Sequence, residues 1–163
     1  MMVEMELVGV RIQMPTNSPV MILREVEETQ RVVPIFIGGP EAHAIDLAVT
    51  GQKIARPMTH DLFVEVVNGL GASIERVEIV KLVQGTFYAN IYVQVGEEVH
   101  EFSARTSDAV ALAVRSKCTI LADEAVVSEA GVVEPDPNEV TEDEEVIEEL
   151  RQFLDTATPE DFS

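Results

Sequence analysis

The segment ARTSDAVALAV, residues 104 to 114, sets Arg105, Thr106, Ser107 and Asp108 directly before six apolar residues. An arginine can clamp a phosphate, a carboxylate can hold a divalent metal, and the free N–H groups of a helix start attract anions. The same quartet also suits a plain helix start. Thr106 or Ser107 could cap it, Asp108 would complement the positive end of the dipole, and Arg105 could pair with Asp108 one turn on. Capping and catalysis draw on the same atoms, so the quartet alone decides neither.

Other candidates sit at other helix starts. His60 and Asp61 follow Thr59, a possible cap. A His beside an Asp suits general acid–base work, yet adjacent helical residues do not face each other. In GGPEAHAIDLAVTG, Glu41, His43 and Asp46 fall within one turn or so of each other. Glu41, Asp46, Asp61 and Asp108, with Glu124, make a pool of metal-binding oxygens by elimination, and carboxylates of this kind more often lie on solvated faces. There is no HExxH, Walker loop, GxSxG or dinucleotide-binding glycine pattern. His43, His60 and His100 lack metal-ligand spacing, and the single cysteine, Cys118, excludes an internal disulfide and reads as a small buried thiol.

Charge narrows the partners. The formal net charge is −19, unevenly spread. Residues 1–133 hold 18 acids and 10 Lys/Arg, a net of −8, whereas residues 134–163 hold 12 acids and Arg151 alone, a net of −11. Such a surface repels phosphate backbones and shows no basic stripe, so nucleic-acid work would need a local basic site or bridging metal ions. MMVEMELVGV has no basic region, and no apolar run approaches the roughly 20 residues of a membrane span, so a cytoplasmic protein without a membrane partner is expected.

These groups need elements to position them. Val3 to Ile12, Pro19 to Val26 and RVVPIFIG read as three strands. Pro40 and Gly51 bracket a first helix, and Leu62, Phe63, Val66, Val67 and Leu70 form the apolar stripe of a second, capped by Thr59. Residues 76–83, 86–95 and 98–104 read as a meander, followed by a helix from Asp108 to about Ser116, a strand from Thr119 to Ala122, and a turn of helix capped by Asp123. After the EPDPNEV linker, Thr141 and Glu144 form a capping box before a narrow stripe of Val146, Ile147, Leu150, Phe153 and Leu154. Strands and helices come in blocks, which predicts an α+β fold: a mixed or antiparallel sheet packed with helices, as one compact domain over 1–133 plus an acidic linker and C-terminal helix over 134–163.

Five blocks in fixed order, VPIFIGGPEAHAI, RPMTHDLFVEVV, VQGTFYANIYV, ARTSDAVALAVRSKCTIL and PEDF, resemble the bifunctional nuclease domain family. The resemblance covers residues 3 to about 133 and the end of the tail. It implies an α+β fold, a homodimer, a small cytoplasmic protein and hydrolysis of DNA and RNA. Thr59, His60 and Asp61 match the family's Thr-His-Asp block, and Glu41 and Ala42 its Glu-Ala pair. Arg105, Ser107 and Asp108 match a block in which Thr106 replaces the usual proline. The expectation is therefore a DNase/RNase assisted by Mg²⁺ or Mn²⁺. His60, Asp61, Arg105, Ser107 and Asp108 would be catalytic, and Glu41, Asp46, Asp61 and Asp108 would hold metal. The rival is a non-enzymatic homo-oligomeric regulatory domain that binds a protein or small ligand.

Overall fold

The computed structural model describes residues 1–27 and 31–133. Strands β1 (Met2–Gln13), β2 (Ser18–Glu25) and β3 (Arg31–Phe36) lead into helices α1 (Gly39–Thr50) and α2 (Thr59–Gly69). Strands β4 (Ala72–Val83), β5 (Thr86–Val95) and β6 (Glu98–Arg105) follow, then α3 (Thr106–Ser116), β7 (Thr119–Asp123), α4 (Glu124–Ala130) and β8 (Val132–Val133). One sheet takes the order β6-β5-β4-β7-β1-β2-β3-β8, antiparallel except where β4 meets β7. The fold is α+β. The expected C-terminal helix lies outside the described residues.

Local chemistry accounts for the joints. Gln84 and Gly85 both take positive φ, 50° and 78°, as a two-residue hairpin turn between β4 and β5 requires. The Asp123 side chain accepts from the Ala125 N–H at 2.8 Å and caps α4 as expected. Gly51 ends α1 in the left-handed conformation.

Alternation along the strands builds the core. Met21 and Leu23 of β2, Val33 and Ile35 of β3, Val77 and Ile79 of β4, and Ala89, Ile91 and Val93 of β5 belong to one buried cluster. Ile45 of α1, Val110 and Leu112 of α3, and Val126 and Val127 of α4 join the same cluster, so these helices share one face of the sheet. The intervening residues Val20, Ile22 and Val32 form a small cluster of their own, as the period of two dictates.

Helix α2 departs from the sequence expectation. Of its presumed core stripe Val67 packs against the core, but Leu62, Phe63, Val66 and Leu70 face out, each between 48% and 79% exposed, and no residue of the helix is fully buried. The partly buried positions are His60, Asp61, Val64 and Val67, which recur at helical spacing on the opposite side. A histidine and an aspartate thus take the inward places that leucine and phenylalanine would fill on hydrophobicity alone. Contacts from α3 to His60 and Asp61, with Val64 and Val67 packed against the core, hold this side inward.

Leu23 has no exposed surface. Leu23→Ala is expected to lower the unfolding free energy by about 2–5 kcal/mol, measured by chemical denaturation; a loss below about 1 kcal/mol would contradict this core.

Candidate active site

Helix α3 begins one residue earlier than any of its hydroxyls could cap. Arg105 is the N-cap, Thr106 and Ser107 are the first helical residues, and no side chain caps the helix. Both hydroxyl residues are buried, at 4% and 8% exposure. The capping reading of Thr106 and Ser107 is therefore overturned, because the chain runs straight from β6 into the helix and carries them inward. Likewise Thr59 does not cap α2. Met58 holds that position, and Asp61 reaches back to accept from the Met58 N–H at 2.9 Å.

The anticipated pair of Arg105 and Asp108 is present and extends further. Arg105 Nε donates to Asp108 Oδ2 at 2.7 Å and Arg105 Nη1 to Glu41 Oε1 at 2.8 Å. Asp108 Oδ1 lies 2.9 Å from His60 Nε2. Glu41 of α1, Arg105 and Asp108 at the start of α3, and His60 of α2 are thus joined in one chain of contacts. Burial pushes the Asp108 carboxyl up, but the hydrogen bonds from Arg105 and His60 outweigh it and hold the group below its ordinary value. An ionised Asp108 can only accept, so in neutral His60 the proton sits on Nε2 and the lone pair on Nδ1.

A second set of bonds fixes the geometry of the first. Arg115, seven residues beyond Asp108 on the same stripe of α3, has a side chain only 8% exposed. Its Nε donates to Asp61 Oδ1 at 2.7 Å, its Nη2 to the Ala44 carbonyl of α1 at 2.9 Å, and its Nη1 to the Ala111 carbonyl at 2.9 Å. Adjacent His60 and Asp61 therefore do not face each other; they face two residues two turns apart on α3. Sequence reasoning missed Arg115, although the seven-residue spacing from Asp108 was visible. Burial also pushes the Asp61 carboxyl up, and the bonds from Arg115 and Met58 N outweigh it.

Two depressions flank the Glu41–Arg105 pair. The larger, about 790 Å³, is lined by Glu41, His60, Arg105 and Asp108 together with apolar residues that include Phe63 and Phe102. The smaller, about 360 Å³, is lined by Glu41, Arg105, Thr106 and Ser107 with Phe36 and Thr86. Ser107 therefore belongs to the neighbouring pocket and does not line the cleft that holds His60.

The four carboxylates expected to share a metal do not converge. Both oxygens of Asp61 are taken by Met58 N and Arg115, both of Asp108 by Arg105 and His60, and Asp46 lies on the exposed side of α1. Among the described residues no group of three or more His, Cys, Asp or Glu could hold a metal ion. As arranged, this set does not fit a protein-built divalent centre, which needs several oxygens around one point.

With the helices gathered on one sheet face and a His–Asp pair at the cleft, the chain belongs to the bifunctional nuclease domain family, whose profile matches residues 21–135. An uncharacterized protein of Mycobacterium tuberculosis is 42% identical, over 98% of this chain and 97% of its own length. Bifunctional nuclease 1 of Arabidopsis thaliana is 30% identical over 63% of this chain, and Bifunctional nuclease 2 of Oryza sativa is 25% identical over 79%. The chain spans 32% and 41% of those two plant proteins. Among the described residues no helix is long and apolar enough to cross a membrane.

Two outcomes check the network. Arg115→Ala leaves Asp61 without its main partner and should cost on the order of 3 kcal/mol, the lower end for a broken buried pair because Asp61 keeps some water. Asp61 and Asp108 have lowered folded values, so their stabilisation is fully present above the ordinary aspartate value of about 3.9 and is lost as pH falls through the lowered values. Asp61→Asn and Asp108→Asn should each flatten the acid limb of a stability–pH curve; an unchanged limb in both would refute the pairing.

Proposed function

We propose that the larger cleft is a phosphodiesterase site acting on DNA and RNA. The observation that carries this reading is the His60–Asp108 contact of 2.9 Å beside an arginine at the rim of an open cleft, in a chain whose plant relatives are named bifunctional nucleases. His60 Nδ1 takes a proton from the attacking water or hydroxyl, and the imidazolium returns one to the leaving oxygen. Asp108 holds the ring in the required tautomer and stabilises its charged form. Arg105 uses Nε and Nη1 on Asp108 and Glu41, which leaves Nη2 to meet the charge that develops on the phosphoryl oxygens.

The other site residues act through these three. Glu41 fixes the Arg105 guanidinium, and Asp61 fixes α2 through Arg115, so both are positioning residues. Asp46 has no part in the reading. Mg²⁺ or Mn²⁺ is the cofactor to test, brought in on the substrate phosphates, since the protein groups do not form a cage for it. The acidic surface leaves encounter with a polyanion weak, and a single arginine at the rim gives a shallow dependence on salt.

One observation favours a second reading. The outward stripe of α2 and the edge strand β6 leave Leu62, Val66 and Phe102 each 50% to 54% exposed, apolar surface that a homodimeric, non-enzymatic regulatory domain would cover. In solution, Leu62→Ser with Val66→Ser would then reduce the measured molecular mass.

The deciding experiment follows hydrolysis of labelled single-stranded DNA and RNA by wild type, His60→Ala and Asp108→Asn, with Mg²⁺, with Mn²⁺ and with chelator. Loss of the acid–base group should lower kcat/KM by about 10²–10⁴. Equal rates in wild type and in a folded His60→Ala protein would reject the reading.

A further inference from the structure

The larger cleft is more apolar than acid–base chemistry requires. Its charged groups are gathered in the bonded set of Glu41, His60, Arg105 and Asp108, while much of the remaining wall is Phe63, Ile91, Phe102, Ala104 and Leu112. Ile91 and Leu112 belong to the buried core beneath it, but Phe63 and Phe102 are 48% and 54% exposed. The fold accounts for both rings. Phe102 pairs with Ile91 across β5 and β6, so the two side chains share the sheet face that carries the helices. Because β6 ends the sheet, that ring stays half open. Phe63 follows His60 by one turn of α2, a spacing that sets the two side chains about 5–6 Å apart at Cβ. The rotation that the Asp61–Arg115 bond gives to α2 therefore brings an aromatic ring to the cleft beside the acid–base group.

We propose that Phe63 and Phe102 form a stacking subsite for an unpaired nucleobase, so that the strand held in this cleft is single-stranded at that nucleotide. This rests on the reading of the cleft as a phosphodiesterase site and states how its substrate is gripped. Phosphate attraction supplies little of the grip. Among the described residues the charged groups lining the cleft are two carboxylates and one guanidinium, a formal sum of −1 with His60 neutral, and Arg105 is already bonded to both carboxylates. Residues 1–133 as a whole carry a net of −8. A polyanion bound here needs affinity from elsewhere, and a base face laid on an aromatic ring provides it without charge. In a duplex both faces of a base are covered by its neighbours, whereas an unpaired base turns a face outward. Every base has such a face, so DNA and RNA are accepted alike. The one-turn step from Phe63 to His60 keeps the stacked base within a nucleotide of the attacked phosphate, and the cleft of about 790 Å³ falls inside the roughly 300–1,000 Å³ usual for ligand sites.

The test measures binding of a labelled single-stranded oligonucleotide to the full-length protein by fluorescence anisotropy, with chelator present and strand integrity checked afterwards. An abasic strand of the same length, and so of the same charge, and a duplex are titrated alongside. Wild type should bind the single strand saturably and the other two far more weakly. Phe63→Leu and Phe102→Leu keep an apolar side chain and remove the ring face; each should weaken single-strand binding by roughly 5- to 150-fold, the range for loss of one stacked base. Both rings are half exposed, so Tm should stay near that of wild type, and Phe63→Trp should bind as well as wild type or better. No saturable binding by wild type, equal affinity for the abasic strand or the duplex, or wild-type affinity in both leucine variants overturns the proposal. A fall in molecular mass of Phe102→Leu with unchanged binding also overturns it and gives the ring to a second copy of the chain. Hydrolysis is scored separately. Single-strand capture that needs both rings, in a protein that cuts nothing, keeps the base subsite and rejects the nuclease reading; cutting with unchanged KM in the leucine variants keeps the nuclease and rejects the subsite.

Discussion

The guanidinium of Arg115 is the contact on which the site geometry rests. It is nearly closed to solvent and joins three helices, through the Asp61 carboxylate of α2, the Ala44 carbonyl of α1 and the Ala111 carbonyl of its own helix. An arginine can do this because its planar fork presents several donors in fixed directions, whereas a lysine ammonium would offer no such fork. The bond to Asp61 sets the rotation of α2. Once that rotation is set, His60 falls against Asp108 and the leucines and phenylalanine of α2 are turned outward. The His60–Asp108 contact is therefore coupled to a salt bridge on the next turns of the helix.

The same constraint explains why a polar network lies where apolar packing would be cheaper. Replacing a buried ion pair by well-fitted hydrophobic residues is often neutral or favourable to stability. Helix α2 had the residues for that solution, since Leu62, Phe63 and Val66 lie one step around the wheel, and the protein leaves them about half exposed. An arrangement that gives up apolar burial to hold His60 and Asp61 inward is the kind of local inconsistency that marks functional sites.

Much of the fold was legible in the sequence because β5 alternates strictly, β2 and β3 are short apolar runs set between turn residues, and Pro40, Gly51 and Asp123 act as punctuation in the expected places. The rotation of α2 was not legible. Its hydrophobic spacing fits the outward stripe as well as the inward one would, and only partners more than forty residues away decide between them. For the same reason Thr59, Thr106 and Ser107 read as caps, although the chain places Met58 and Arg105 there. The candidate residues Glu41, His60, Arg105 and Asp108 were found by type and drawn together by the structure, while Asp61, expected at a metal, is bonded to Arg115 and the Met58 N–H. Arg115 was missed because an arginine in the last turn of a helix ordinarily serves the dipole from the surface.

The single parallel pairing in the sheet has a consequence for how the protein comes into being. Among the described residues, strands β1, β2 and β3 on one side and β4, β5 and β6 on the other are joined within the sheet through β7, which lies between β4 and β1. During synthesis the two three-stranded halves are made first, and the strand that knits them is made after α3. Closing so long a chain around a central strand is entropically expensive and kinetically late. Before Thr119–Asp123 is in place, Glu41, His60 and Arg105 can meet through helix contacts such as those of Arg115, but the two halves of the sheet beneath them are not yet joined. The cleft therefore gains its continuous floor last.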